Sequence, residues 1–289
     1  MIDRLNMFMV LARERHFGRA AESLGITQPS LSSALRALED QLGVQLVRRG
    51  SRFQGLTPEG ERVLTWARRI VGDARALAAE MAAMRRGITG RLRIGVIPTA
   101  MPRVAMLTTP FLTAHPDATV TILSRSSDEI RDQIAALELD AGVTYLDSEP
   151  LGRVQIHPLY RETYCLIDRT EATGPATWAE AAARPLCLLT PDMQNRRIVA
   201  AHLSTHAPAA EPRVESNSML AILSHVATGG WAAVLPRALA DGLPLPAGVR
   251  ARDLTGSDAH TVGLVVADRE PHPPIVDALL AVAKAIDSA

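Results

Sequence analysis

Between Phe17 and Leu46 the chain reads FGRAAESLGITQPSLSSALRALEDQLGVQL, and within it Gln28, Ser30, Ser32, Ser33 and Arg36 cluster at helical spacing. An amide, three hydroxyls and a guanidinium are the groups that hydrogen-bond base edges in a major groove and the phosphates beside it. A few residues on, RRGSR places Arg48, Arg49 and Arg52 in one short turn, with Ser51 as a further donor. Arginines there suit a phosphate backbone, whose binding is electrostatic and sequence-independent.

Such side chains act only if something holds them on one face. Two short helical patterns meet at Gly25, one carrying Ala20, Ala21 and Leu24, the other Leu31, Leu35 and Leu38. Ala21, Gly25 and Leu31 have the spacing of a helix-turn-helix. The small Ala21 permits a close crossing, Gly25 ends the first helix in a left-handed conformation, and Ile26 and Leu31 fill the crevice. Thr27 is placed to cap the second helix, and Pro29 is tolerated in its first turn. Any two amphipathic helices joined at a glycine share this pattern, so the neighbouring segments must decide. Residues 45–47 and 53–56 read as short strands flanking the basic turn, which makes a wing.

Thr57 caps the next helix, with Pro58 at its first position and Glu59 and Glu61 in its first turn. The helix runs to about Arg86 and keeps heptad spacing: Val63, Ile70, Leu77 and Met84 in one register, Ala67, Ala74 and Met81 in the other. That length and seam predict a two-helix coiled coil whose partner is a second copy of the chain. A two-fold protein also suits a two-fold operator.

From Arg91 strands alternate with helices: 91–97, 118–124 and 140–145 read as strands, 102–115 and 126–138 as helices. This predicts a parallel α/β sheet. The pattern divides into a unit of residues 91–160 plus 266–289 and a second of 161–265, with ligands expected in the cleft between them.

Bulk properties agree. The 289 residues are 47% hydrophobic and 21% charged, with no net charge. Residues 1–90 hold fourteen arginines against nine acids, a net +5 that the remainder balances with −5. A basic head on an acidic body fits DNA binding by the head alone. No apolar run approaches the roughly 18 residues of a membrane span, and the periodic, charged start is unlike a secretory signal, which predicts a cytoplasmic protein. Cys165 and Cys187 fit no metal or redox spacing and lie in apolar runs, so they are expected as buried thiols. No catalytic residue, metal site or cofactor is expected: the sequence has no G-x-S-x-G, Walker loop, H-E-x-x-H or dinucleotide fingerprint. An enzyme, or a simple small-molecule-binding protein using the α/β cleft, is the alternative. Neither explains residues 1–86.

The stretches FMVLARERHFGRAAESLGITQPSLSSALRALEDQLGVQLVRR, LTPEGERVLTWARRI, GRLRIGV, LYRETYCLI and VATGGWAAVLPRAL resemble, in order, the LysR-type transcriptional regulators. LYRETYCLI with CLLTPDMQNRR further resembles a subgroup encoded beside soluble formate dehydrogenase genes. The resemblance implies an α plus α/β protein in three parts. Residues 1–57 form a winged helix-turn-helix, 58–87 a dimerising linker helix, and 88–289 a two-subdomain effector domain like the periplasmic binding proteins. It implies dimers or tetramers, double-stranded DNA and RNA polymerase as partners, and control of nearby genes by a small molecule. Gln28, Pro29, Ser32 and Ser33 fall at DNA-contacting positions, as do Arg48, Arg49 and Arg52 in the wing and Thr57 at a phosphate. Ser33 stands where the family often has Arg or Lys, Val47 where it often has an aromatic, and Arg15-His16 where it has Gly-Ser, read here as a surface change.

For the effector, the resemblance implies Pro98, Thr99, Ala100, Ser126, Ser127, Thr144, the segment Thr190, Pro191, Asp192 to Asn195, and Asn217 with Ser218. Hydroxyls at helix N-termini attract anions, so a small carboxylate or other oxyanion is the expected ligand class. Part of that set should be ordinary N-caps. Binding is expected to change the angle between the subdomains and so the spacing of the DNA-binding heads.

Overall fold

A computed structural model describes residues 1–48, 53–147, 149–206, 211–256 and 258–287. The chain divides into two compact units, Met1–Arg85 and Arg86–Ala289.

The first unit contains α1 (Ile2–Glu14), α2 (Phe17–Leu24), α3 (Gln28–Leu42) and nearly all of α4 (Pro58–Arg86). Its core joins Leu5, Phe8 and Leu11 of α1 to Ala20 and Ala21 of α2, Leu31, Leu35 and Leu38 of α3, and Leu64, Ala67 and Val71 of α4. The apolar spacing of each helix thus meets at one centre. Gly25 ends α2 at φ 66°, and its N–H bonds back to the carbonyls of Ala21 and Glu22. Thr27 caps α3 by accepting from the N–H of Ser30.

The step between α1 and α2 departs from the sequence expectation. Arg15 takes the left-handed conformation at φ 50°, a position that suits glycine, and His16 is the N-cap of α2. The His16 Nδ1 accepts from the N–H groups of Gly18 and Arg19, at 3.1 and 3.3 Å. Arg15-His16 is therefore not a surface change: the imidazole does the capping work of a serine hydroxyl.

The wing is briefer than two strands. Only Val47 and Leu56 pair, as one antiparallel bridge. Its stem is pinned by Glu39 of α3, whose Oε1 accepts from the N–H of Leu46 at 2.7 Å and of Val47 at 3.4 Å. Phe53 meets Phe17 edge-on at 6.4 Å between ring centres.

The heptad of α4 splits in two. Leu64, Ala67 and Val71, with Val63 and Ile70 beside them, serve the core of their own unit. Farther along, Leu77, Met81 and Met84 are exposed, at 60%, 45% and 78%. Arg75 donates to Asn6 Oδ1 at 2.7 Å and holds the middle of α4 against α1.

In the second unit β1 (Gly90–Val96) leads through a 3-10 turn (Pro98–Arg103) into α5 (Ala105–Ala114), β2 (Ala118–Ser124), α6 (Ser127–Ala135), β3 (Ala141–Tyr145) and β4 (Val154–Glu162). Then come β5 (Tyr164–Asp168), α7 (Trp178–Ala182), β6 (Cys187–Leu188), α8 (Gln194–His206), β7 (Val214–Glu215), α9 (Met219–Thr228), β8 (Ala233–Pro236), α10 (Arg237–Gly242) and β9 (Arg250–Asp253). The strand β10 (His260–Ala267) and α11 (Pro274–Asp287) close the chain.

A five-stranded sheet has the order β2-β1-β3-β10-β4, parallel among β1, β2 and β3, with β10 antiparallel to both its neighbours. A three-stranded antiparallel sheet, β8-β5-β9, and the parallel pair β6-β7 form the other half. Two corrections follow. The fully parallel sheet holds only for β1–β3, because a single residue, Thr163, separates β4 from β5 and leaves no room for a crossover helix. And β10 lies wholly in the first sheet, whereas residues 260–265 were assigned to the second half. Its apolar run is buried from Val262 to Val266, where pairing with β3 and β4 places it.

Candidate functional site

On α3 the buried residues face the core, which leaves Gln28, Pro29, Ser30, Ser33 and Arg36 exposed and Ser32 half-buried. The Ser30 hydroxyl lies 2.9 Å from that of Thr27, so it is partly committed to the cap. The Gln28 side chain makes no hydrogen bond among the described residues, and its carboxamide lies beside Gly18 at the start of α2. Arg48 is exposed, and its Nε donates to the carbonyl of Leu56 at 3.2 Å. Arg49 and Arg52 lie outside the described residues.

Thr57 has a structural task. Its hydroxyl donates to the carbonyl of Gln45 at 2.6 Å and accepts from the N–H of Gly60 at 2.9 Å. As placed, its one proton is spent within the protein, so it has none to give a phosphate. Gly60 is a residue that spacing did not reveal. A Cβ there would stand 2.1 Å from the carbonyl oxygen of Leu46, so only hydrogen fits between α4 and the wing stem.

In the second unit a cleft of about 940 Å³ opens beside the 3-10 turn and the N-termini of α6 and α9. Of the twelve residues expected there, Pro98, Ser126, Asp192, Asn217 and Ser218 line it. Two of their hydroxyls are N-caps. Ser126 forms a full capping box with Glu129, and Ser218 accepts from the N–H of Ala221.

The other seven residues do not line the cleft. Thr144 donates to Ser127 at 3.0 Å, and both are buried. Asn195 Nδ2 donates to the Tyr145 hydroxyl at 3.3 Å. The carbonyls of Pro191 and Asp192 accept from Arg197, which also holds Glu149 through two bonds of 2.6 and 2.7 Å. Thr99 and Ala100 are buried, and the hydroxyls of Thr99 and Thr190 have no hydrogen-bond partner among the described residues.

Sequence reasoning missed most of the apolar lining, namely Met101, Pro102, Met219, Leu220, Leu223 and Leu243. It also missed Arg125, which lines the cleft immediately before the Ser126 cap. Arg125 donates to the carbonyl of Ser124 at 2.8 Å and to Gln133 at 3.3 Å. Its place at the carboxyl end of β2, next to a helix cap, was the available signal. The charges around the cleft are thus mixed: Arg125 against Glu129 and Asp192.

Both cysteines are free and fully buried. Burial pushes the Cys165 thiol up to about 12 and raises that of Cys187. Among the described residues no group of three or more His, Cys, Asp or Glu is placed to hold a metal ion. No helix there is long and apolar enough to cross a membrane.

A winged helix-turn-helix unit joined by chain to an α/β unit with a ligand-sized cleft defines a DNA-binding regulator with an effector domain. Residues 2–61 match the model described as bacterial regulatory helix-turn-helix protein, lysR family, and residues 85–286 the LysR substrate binding domain. The chain belongs to the LysR family of transcriptional regulators, which are not enzymes.

Among curated relatives it is 34% identical over 163 residues to the "Probable hydrogen peroxide-inducible genes activator" of Mycobacterium xenopi, covering 56% of this chain and 86% of that protein. It is 36% identical over 147 residues to the HTH-type transcriptional regulator XapR of Escherichia coli K12, a match that spans 50% of each chain. Full-length OxyR from Pseudomonas aeruginosa, carrying a cysteine-to-aspartate substitution, matches with a TM-score of 0.79 at 26% identity over 98% of this chain and 94% of that one. The LysR family regulator CbnR shares the fold, with a TM-score of 0.65 at 23% identity over 99% of each chain.

Proposed function

We propose that this regulator reads a two-fold DNA site with paired copies of α3 and responds to an organic acid held in the cleft. The observation that carries the DNA part is the two-sidedness of α3: Leu31, Leu35 and Leu38 are buried while Gln28, Ser33 and Arg36 face out. Gln28, Ser32, Ser33 and Arg36 then contact bases and adjoining phosphates, Pro29 and Ser30 shape the start of the helix, and Arg48, Arg49 and Arg52 hold the backbone. Thr57 supports the wing from behind rather than touching a phosphate. The domains are residues 1–57, 58–87 and 88–289, with the first subdomain of the last taking all of β10. The protein acts in the cytoplasm and works through RNA polymerase.

The exposed second half of the α4 seam supports self-association. A heptad stripe left in water is costly unless a second helix covers it. Leu77→Asp should raise the dimer dissociation constant on the order of 100-fold, since each symmetric copy loses a buried leucine, worth roughly 3 kcal/mol or more in all. Sedimentation equilibrium reads this, and an unchanged dimer would put the interface elsewhere.

The ligand class follows from the lining. Leucines, methionines and prolines suit an apolar body, and Arg125 suits a carboxylate or similar anion at one end. Calorimetry on the full chain with small organic acids and their amides is the test. Acids should bind more tightly, and Arg125→Gln should weaken them roughly 10- to 100-fold, the worth of one charge-assisted hydrogen bond. Binding by neutral or cationic compounds alone would overturn this reading. Some relatives bear the name of peroxide-inducible gene activators, but a peroxide-reactive cysteine must be exposed and ionised. Cys165 and Cys187 are neither, which favours a bound ligand as the signal here.

A further inference from the structure

The chain passes between the five-stranded and three-stranded sheets at two places, Thr163 and residues 254–259, and both lie beside Glu162. Glu162 is the last residue of β4, and directly across from it stands His260, the first residue of β10. The Glu162 carboxyl is 2% exposed. Its Oε1 accepts from the Tyr145 hydroxyl at 2.5 Å, and its Oε2 has no hydrogen-bond partner among the described residues.

The Tyr145 hydroxyl gathers the rest: Tyr164 of β5 lies 3.5 Å away, and Asn195 of α8 donates to it. One small group therefore ties β3 and β4 of the first sheet to β5 and α8 of the other half. The rings of Tyr145 and Tyr164 both meet His260 edge-on, each at 6.1 Å.

No cation compensates the carboxyl. Among the described residues no basic side chain forms an ion pair with Glu162. Arg103, on the 3-10 turn, stacks on the ring of Tyr160 at 4.8 Å instead. The other groups facing Glu162 are Tyr160 on its own strand, Tyr145, Tyr164, His260 and, beyond the end of β3, Asp147. Asp147 is itself engaged with His260 at 3.1 Å and with the N–H of Thr261 at 2.6 Å. A carboxylate buried without a charge partner is expensive.

We propose that this crossover is a proton-operated latch: protonated Glu162 holds the two sheets in the arrangement described, and its ionisation loosens the tyrosine cluster and frees the sheets to move. The proposal does not depend on the identity of the cleft ligand. It connects with that ligand only through Asn195, which borders both. Desolvation raises the Glu162 carboxyl from the ordinary 4.5 to about 7, against the opposing pull of the Tyr145 hydrogen bond and of Arg103. The working range of the latch is therefore near neutrality.

The sign is set by the raised value. The folded state holds its proton more tightly than the unfolded chain does, so the stability Glu162 confers is complete below about 4.5 and is lost as pH rises through about 7. The full-length protein and E162Q should be compared by thermal melting from pH 5 to 8. Hydrogen exchange at residues 160–165 and 258–262, corrected for intrinsic rates, should be followed over the same range.

In the wild type, melting temperature falls and protection of both crossovers drops several-fold over this range. In E162Q both stay flat. Identical pH responses in the two proteins overturn the proposal. If E162Q fails to fold, Y145F serves: removing the donor that favours the ionised form moves the midpoint of a ¹³C-glutamate carboxyl titration upward. A carboxyl midpoint in the ordinary carboxylate range, or one that Y145F does not move, overturns it equally.

Discussion

Gly60→Ala should unfold the DNA-binding unit well below the temperature at which the effector unit melts. The added methyl would stand 2.1 Å from the Leu46 carbonyl oxygen and 3.2 Å from the Thr57 hydroxyl. The first of these is backbone, held by the Glu39 carboxylate through the Leu46 N–H and by the Thr57 N–H on that same carbonyl oxygen. It has no rotamer to yield with, so α4 must lift away from the wing stem.

Overpacking of a tight core costs about 1–3 kcal/mol, and a fixed carbonyl puts this site at the upper end. For a unit of this size, about 3 kcal/mol lowers the melting temperature by roughly 12–24 °C. Calorimetry should show the first transition displaced and the second unmoved. A variant that melts as the wild type does would mean that α4 and the wing stem are less closely joined than their geometry requires.

The second large effect is expected from Gln28→Ala, and it should fall on specific binding alone. The Gln28 carboxamide is exposed at the first turn of α3, and no hydrogen bond among the described residues draws it away. Its donor and acceptor together match an adenine edge, a pairing worth about 1–3 kcal/mol of discrimination. Affinity for the operator should drop roughly 5- to 150-fold, while affinity for random DNA at the same salt, which rests on phosphate contacts, should hold. Gel-shift titrations on both DNAs distinguish the outcomes. Equal losses would assign Gln28 to positioning rather than base reading.

Ser33 gives this experiment added weight. A short hydroxyl there, where the family often carries a long cation, reaches fewer groups, which leaves more of the discrimination to Gln28 and Arg36.

The helix-turn-helix was legible in the sequence because its determinants are local. Ala21, Gly25, Thr27 and Leu31 act through spacing, a left-handed turn, a cap and one apolar stripe, all set by neighbours within a few residues. The strands β1–β3 and their helices were legible for the same reason, as was the long helix from Pro58. Spacing also identified Pro98, Ser126, Asp192, Asn217 and Ser218, which share the mouth of one cleft although they lie up to 120 residues apart.

What only the tertiary structure decided are matters of partnership across long separations. Which half of the α4 heptad is spent on its own unit, and which is left exposed, depends on where α1 and α3 dock. That His16 caps α2 depends on the turn that Arg15 makes. That Gly60 must be glycine depends on a carbonyl fourteen residues away, and the uncompensated burial of Glu162 depends on tyrosines from two other strands. Periodicity reports which face of an element is buried, because that is a property of the element. It is silent on what each buried polar atom meets, because desolvation and hydrogen bonding are settled by whichever side chains the fold brings there.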